Sequence, residues 1–277
     1  SGKSSTVERA ANLAFTPRNA SICTRQPIYL ECVHAETTSL TLETPMGRQT
    51  IDMATAEGAL EEAVKKIMHP GPGIDEEALT LTYTSPEIPT MSFCDLPGTI
   101  GVTKAGEPLD LKERTVELLK ETIEDRNALL CCVVTADVRN NIALETLQKT
   151  PGALDRTIVV LAKADTLLDS SYKAKGKSGA AWKLEQMLLT SPIDGYRGKI
   201  IPVVNRDTAT AKQASIKKVN AREQAWFKKN MPALDTESDC SIRAVINGFD
   251  RLYTQHMQRV WIPEFSATIT AKNAAVV

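Results

Sequence analysis

Four short groups of residues carry side chains of the kinds that can hold a nucleotide. Ser1, Gly2, Lys3, Ser4 and Ser5 open the chain. A Gly-Lys-Ser set just before a helix start lets backbone N–H groups and the positive helix end cradle phosphate oxygens. The lysine then neutralises the β- and γ-phosphates, and the hydroxyl ligates Mg²⁺. The chain begins inside the pattern GxxxxGK[ST], so the pattern's first glycine and its strand are expected upstream of Ser1. GKS is a common tripeptide and gains weight only from partners in the right order. Asp95-Leu-Pro-Gly98 follows the apolar stretch Met91–Cys94. An aspartate there reaches Mg²⁺ through water, and the glycine N–H meets the γ-phosphate. As an ordinary turn, D-x-x-G is frequent; its place after a strand favours the phosphate reading.

Lys163 and Asp165 follow another apolar run, Thr157–Leu161, and Asn205-Arg206 follow a third, Lys199–Val204. A carboxylate at a strand end can accept two hydrogen bonds from guanine's ring N–H and exocyclic amine. Adenine does not present those donors in that arrangement, while a lysine stem can pack on the purine face. On a surface loop K-x-D is unremarkable, so the strand ends carry the reading.

The elements around these groups alternate. A helix is predicted from Ser5 to about Leu13, then a long proline-punctuated loop, Phe15–Pro27, of the kind often functional beside a phosphate helix. Ile28–Val33 and Thr38–Thr44 read as two strands of a hairpin, and Met53–Met68 as a helix stopped by His69-Pro-Gly-Pro-Gly73. Ala78–Tyr83 alternates as a strand, and Leu109–Asp125 has Val116, Leu119 and Ile123 on one helical side. Ala128–Thr135 and Thr157–Leu161 are continuously apolar, the mark of parallel strands covered on both faces, with a helix over Asn141–Lys149 between them. Ser170–Gly179 reads as a polar loop and Ala180–Leu189 as a helix; Pro202 weakens the case for a ladder over Lys199–Val204. Short helix Ala221–Lys229 precedes the longest amphipathic stretch, Asp239–Val260, which Pro263 is expected to end or bend. This rhythm predicts an α/β fold: a mostly parallel sheet with helices on both faces and its ligand beyond the strand C-termini.

Composition narrows the classes. The chain has 277 residues, 42% hydrophobic and 24% charged, with a formal net charge of −1. That balance offers no global basic face for nucleic acid or anionic lipid. Six cysteines show no C-x-x-C pair and read as reduced and buried, which favours a cytoplasmic compartment. Three scattered histidines argue against a Ser-His-Asp triad or a histidine zinc site.

The ordered set Ser1–Ser5, then Phe15-Thr-Pro-Arg-Asn-Ala-Ser-Ile-Cys-Thr-Arg-Gln-Pro27, Asp95–Gly98, Lys163–Asp165 and Val203–Arg206 resembles the dynamin superfamily of large GTPases across nearly the whole chain. The second segment is the most specific, because Pro17, Arg18, Thr24, Arg25 and Pro27 keep the spacing of the family's first switch. The resemblance implies an extended Ras-like P-loop fold that binds GTP and GDP and hydrolyses GTP. By carry-over, Ser1, Gly2, Lys3, Ser4 and Ser5 hold phosphates, with Arg18 beside the nucleotide. Ser4, Thr24 and, through water, Asp95 hold Mg²⁺; Lys3, Thr24, Asp95 and Gly98 act in catalysis; Lys163, Asp165 and Asn205 grip the base; and Arg206 lines the base pocket or faces a partner domain. Two departures stand out. Ala162 replaces the usual threonine, and Asn19, Ala20 and Ser21 replace a glycine-rich stretch that in the family helps hold a monovalent cation (Na⁺ or K⁺). Thr99-Ile100 rather than glutamine follow Gly98, which argues against a Ras-type water-positioning residue.

The family implies a nucleotide-dependent homodimer of GTPase domains, homo-oligomers of the full-length protein, and membrane remodelling or fission through segments outside this chain. Residues 1–238 are expected to form the GTPase domain and 239–277 a helix leading toward a helical bundle. Two rivals are open on sequence: a nucleotide-binding scaffold of the same fold that does not hydrolyse, and an ATPase, against which Lys163 and Asp165 speak.

Overall fold

The computed structural model describes residues 2–15, 24, 26–44, 47–51, 74, 78–100, 103, 105–135, 141–168, 193–205 and 215–274. Helices predicted over Met53–Met68 and Ala180–Leu189, and the polar loop Ser170–Gly179, lie outside these residues.

Helix α1 (Lys3–Ala10) opens the fold, with Gly2 as its N-cap in a left-handed conformation, φ 93°. Strands β1 (Ile28–His34), β2 (Ser39–Thr44), β3 (Gly47–Ile51), β4 (Leu79–Ser85) and β5 (Met91–Asp95) form a sheet in the order β3-β2-β4-β1-β5. The predicted hairpin of β1 with β2 does not form. Strand β4 lies between them, parallel to β1 and antiparallel to β2. The connection is long enough for this: a few extended residues span roughly 13 Å, against ~9.6 Å for two strand spacings. On β1, Ile28, Leu30 and Cys32 are buried, joining Leu40, Leu42, Leu79 and Leu81 in one core cluster.

The second sheet is parallel throughout, in the order β6 (Leu130–Val134), β7 (Thr157–Leu161), β8 (Ile200–Pro202). All of β7 is buried. Val159 and Leu161 face a cluster with Ile123, Leu144 and Phe227, while Ile158 and Val160 face another with Ile242, Ala244 and Val245. That two-residue alternation puts α2 (Leu111–Glu124), α3 (Ile142–Lys149) and α4 (Ile216–Asn230) on one face and α5 (Ser241–His256) on the other. Helices on both faces are as the sequence predicts; the parallel pairing is concentrated in this second sheet. Pro202 is tolerated because β8 is an edge strand among the described residues. Asn141 caps α3, its side-chain oxygen accepting from the Leu144 N–H at 3.1 Å.

Helix α4 begins five residues earlier than the sequence pattern indicates. Helix α5 does not stop near Val260: a π-helical turn, Met257–Trp261, leads directly into α6 (Ile262–Ala274). The widened turn precedes Pro263 and accommodates a residue that has no N–H to give back to the preceding turn. Residues early in α5 are buried, whereas Ile262, Phe265 and Ile269 of α6 are exposed.

Candidate functional site

Gly2 and α1 bring the first group into place. The Gly2 carbonyl accepts the Thr6 N–H at 3.0 Å and the Thr6 hydroxyl at 2.9 Å, which closes the first turn around the N-cap. Lys3, Ser4 and Ser5 occupy that turn, all half-buried. Register places the next two groups. Asp95, last residue of β5, lies opposite Ile28, first residue of β1, so Thr24 just upstream arrives beside it.

The side chains meet. The Ser4 hydroxyl donates to Asp95 Oδ2 at 2.5 Å, the Thr24 hydroxyl donates to the same oxygen at 3.1 Å, and the two hydroxyls are 3.0 Å apart. Asp95 is 2% exposed. Burial pushes its carboxyl above the ordinary carboxylate range; the Lys3 ammonium and the two hydroxyls pull it back, and Glu8 adds a smaller push upward. Lys3 also reaches the turn after β5, where a methyl added to Gly98 would stand 3.3 Å from Lys3 Nζ. Lys3, Ser4, Thr24, Asp95 and Gly98 therefore share one place.

On the second sheet the strand ends are level. Val134 pairs with Leu161 and Leu161 with Pro202, and the ladder runs on past them. The Ala162 N–H donates to Val134 O at 2.8 Å, Val203 N–H to Leu161 O at 2.9 Å, and Ala164 N–H to Val203 O at 3.1 Å. These bonds hold the loop after β7 alongside the loop after β8. Lys163 is exposed with φ 59°, and Asp165 is half-buried in the helical turn Ala164–Leu168. The Thr166 N–H and hydroxyl both donate to Lys163 O, at 3.0 and 2.8 Å.

Gly2 joins the two groups. Asn205 Nδ2 donates to Gly2 O at 3.4 Å. A Cβ on Gly2 would come within 2.9 Å of Asn205 Nδ2 and 3.0 Å of the Ala162 Cβ. Glycine is required there on two counts: left-handed φ and close approach. Ser1, Arg18 and Arg206 lie outside the described residues, as do Asn19–Ser21.

Sequence reasoning missed Arg9 and Glu223. Arg9 is 2% and Glu223 1% exposed, and they form a buried ion pair linking α1 to α4. The available signal was on α4, where Ile216, Val219, Glu223 and Phe227 make a buried stripe at helical spacing with a carboxylate in it.

The oxygen-only donor set at Ser4, Thr24 and Asp95 suits a small hard cation that takes one or two carboxylates and completes its shell with phosphate and water. Among the described residues no cluster of three or more His, Cys, Asp or Glu could hold a metal by itself.

A Gly-Lys-Ser helix N-terminus facing a strand-end aspartate, at the edge of an α/β fold, defines a P-loop nucleotide-binding domain. Comparison with known proteins gives the particular family. The family model described as Dynamin family matches residues 1–164. The chain is 27% identical over 239 residues to the mitochondrial dynamin-like GTPase msp1 of Schizosaccharomyces pombe, covering 85% of this chain and 25% of that protein. It is 31% identical over 201 residues to the interferon-induced GTP-binding protein Mx2 of Bos taurus, covering 71% and 27% respectively. With dynamin-1 of Homo sapiens it shares 28% over 176 residues, covering 63% of this chain and 20% of that one. This chain belongs to the dynamin family, and its fold is that of the family's GTPase domain. It spans about a quarter of the length of the curated relatives it matches.

Proposed function

We propose that this domain binds GTP and hydrolyses it to GDP and phosphate. The observation that carries the proposal is the convergence of Ser4, Thr24 and Asp95 oxygens beside the Lys3 ammonium. Ser4 and Thr24 would hold Mg²⁺ directly and Asp95 through water. When bound, the ion would supply positive charge that offsets the charge on the phosphates. Lys3 offsets charge building on the transferring phosphoryl group, with Ser1, Gly2, Ser5 and Arg18 completing the phosphate contacts. Thr24 orients the attacking water, and the Gly98 N–H meets the γ-phosphate. Catalysis on this reading is positioning plus electrostatics. Lys163, Asp165, Asn205 and Arg206 take the guanine, Asp165 accepting from its ring N–H and amine. In the family a monovalent cation, Na⁺ or K⁺, takes the place of an arginine, and the glycine-rich stretch that helps hold it is replaced here by Asn19, Ala20 and Ser21.

The reading extends to the full-length protein as a cytoplasmic enzyme, peripheral at membranes, that pairs through GTPase domains, assembles into homo-oligomers and couples turnover to membrane remodelling. Among the described residues no helix is long and apolar enough to cross a membrane. Residues 1–238 form the catalytic unit and 239–277 its helical exit; the exposed apolar side chains of α6 support an exit there, while the buried start of α5 still packs on the sheet.

Thr24→Ala tests the catalytic assignment. GDP affinity is expected to hold within about twofold while turnover falls at least tenfold, ~1.4 kcal/mol of barrier, read by phosphate release over a range of protein concentrations. Equal rates for variant and parent reject the role. Parent protein that binds GTP without turnover, even at high concentration, makes the domain a scaffold.

A further inference from the structure

We infer that Arg9 and Glu223 are positioning residues for nucleotide binding, acting through Asn205; the inference rests on the proposed base site. Every nitrogen of the Arg9 guanidinium has a partner. Nε donates to Asn220 Oδ1 at 2.8 Å, and Nη2 donates to Glu223 Oε2. Nη1 faces Glu223 Oε1 at 3.0 Å, Val204 O at 3.0 Å and Asn205 Oδ1 at 3.2 Å. Glu223 completes the clamp from the other side, Oε1 accepting the Val204 N–H at 2.7 Å and Oε2 the Ile242 N–H at 2.9 Å. Both backbone groups of Val204 are thus held by one ion pair, immediately before Asn205.

The consequence for Asn205 is a fixed amide. Arginine only donates and a backbone carbonyl only accepts. Oδ1 must therefore face Arg9 and Nδ2 must face Gly2 O; the flipped amide would set donor against donor and acceptor against acceptor. With both ends occupied, Asn205, in the loop after β8, is locked onto the phosphate helix, whose Arg9 and N-cap Gly2 supply both partners. A buried ion pair is a poor device for stability alone, since desolvating two charges cancels much of their attraction and apolar residues of the same volume often serve as well. It makes sense where a polar side chain must be held in one orientation.

A double-mutant cycle in the full-length protein, titrated with GDP and Mg²⁺, separates positioning from mere folding. Arg9→Lys keeps the charge opposite Glu223 but loses the planar fork that reaches Val204 and Asn205 together. It is expected to weaken GDP binding about tenfold, ~1.4 kcal/mol, in the parent and less than twofold in an Asn205→Ala background. Asn220→Ala, which leaves the ion pair intact and removes only the acceptor at Nε, serves if Arg9→Lys folds poorly. Its effect is expected to be about threefold and again to vanish without Asn205. Unchanged GDP affinity in both variants, or the same penalty with and without Asn205, overturns the inference. An Asn205→Ala protein that binds GDP as the parent does overturns instead the base-site reading beneath it.

Discussion

The proposed phosphate side and the proposed base side of this site are held together on different plans. At the phosphate side the proposed ligand-binding groups bond to one another: Ser4, Thr24 and Asp95 share one carboxylate oxygen, with Lys3 close by. At the base side the support comes from outside the motif, through the continued strand ladder and the Arg9–Glu223 pair under Val204 and Asn205. The first arrangement holds a buried carboxylate whose desolvated charge is offset in part by Lys3 and by two hydroxyls. The second is satisfied before any ligand arrives. On the proposed reading, the second end is preorganised to receive a base.

The largest expected effect breaks the first region. Lys3→Ala removes the cation nearest Asp95 and the proposed phosphate contact. GDP affinity by calorimetry should fall at least a hundredfold, ~2.7 kcal/mol; retained affinity would reject the phosphate-loop assignment. Gly2→Ala strikes the joint between the regions. An alanine there takes on left-handed strain of ~1–2 kcal/mol, and its methyl would stand 2.9 Å from Asn205 Nδ2. A lower melting temperature and roughly tenfold weaker GDP binding, ~1.4 kcal/mol, are expected together. A loss of stability with GDP affinity intact would separate Gly2 from the base side.

The smallest effect lies outside both regions and serves as their control. Lys199 donates to Asp239 at 2.6 Å, and that bond, ahead of weaker backbone and charge effects, holds the Asp239 carboxyl below its ordinary range. A depressed carboxyl adds stability above the unfolded-state value and loses it as pH falls through the folded one. The pair is exposed and screened, so Asp239→Asn should lower the melting temperature at pH 7 by no more than roughly 2–4 °C, for under ~1 kcal/mol. The gap should close below about pH 4, and nucleotide affinity should not move. A gap that widens in acid would contradict the assignment.

How much of this was legible in the sequence follows the same division. Gly2-Lys3-Ser4 stood out as a local pattern at a helix start, Asp95–Gly98, Lys163–Asp165 and Asn205 as local patterns at strand ends, and the apolar runs of β6 and β7 announced a sheet covered on both faces. The hairpin expectation failed because a short connection permits a neighbour or a next-but-one strand, and β4, the strand that intervenes, is encoded some forty residues later. Arg9 and Glu223 were invisible as a pair, since nothing local relates residues 214 positions apart. Only the carboxylate within the apolar stripe of α4 hinted that a buried cation must answer it. Of the two outcomes expected at Pro263, an end or a bend, the helix does not end there: a π-helical turn absorbs the missing N–H.

The central claim, that both sides serve one guanine nucleotide, is tested most directly by titrating the Asp165→Asn protein with guanosine and xanthosine diphosphates side by side. An asparagine can donate to the carbonyl that xanthine carries where guanine has its amine. With the phosphate side intact, GDP binding should weaken by about 1.5–3 kcal/mol, roughly tenfold to a hundredfold, and preference should pass to the xanthine nucleotide. A variant that still binds GDP as tightly as the parent, and no better with xanthosine diphosphate, would contradict the account.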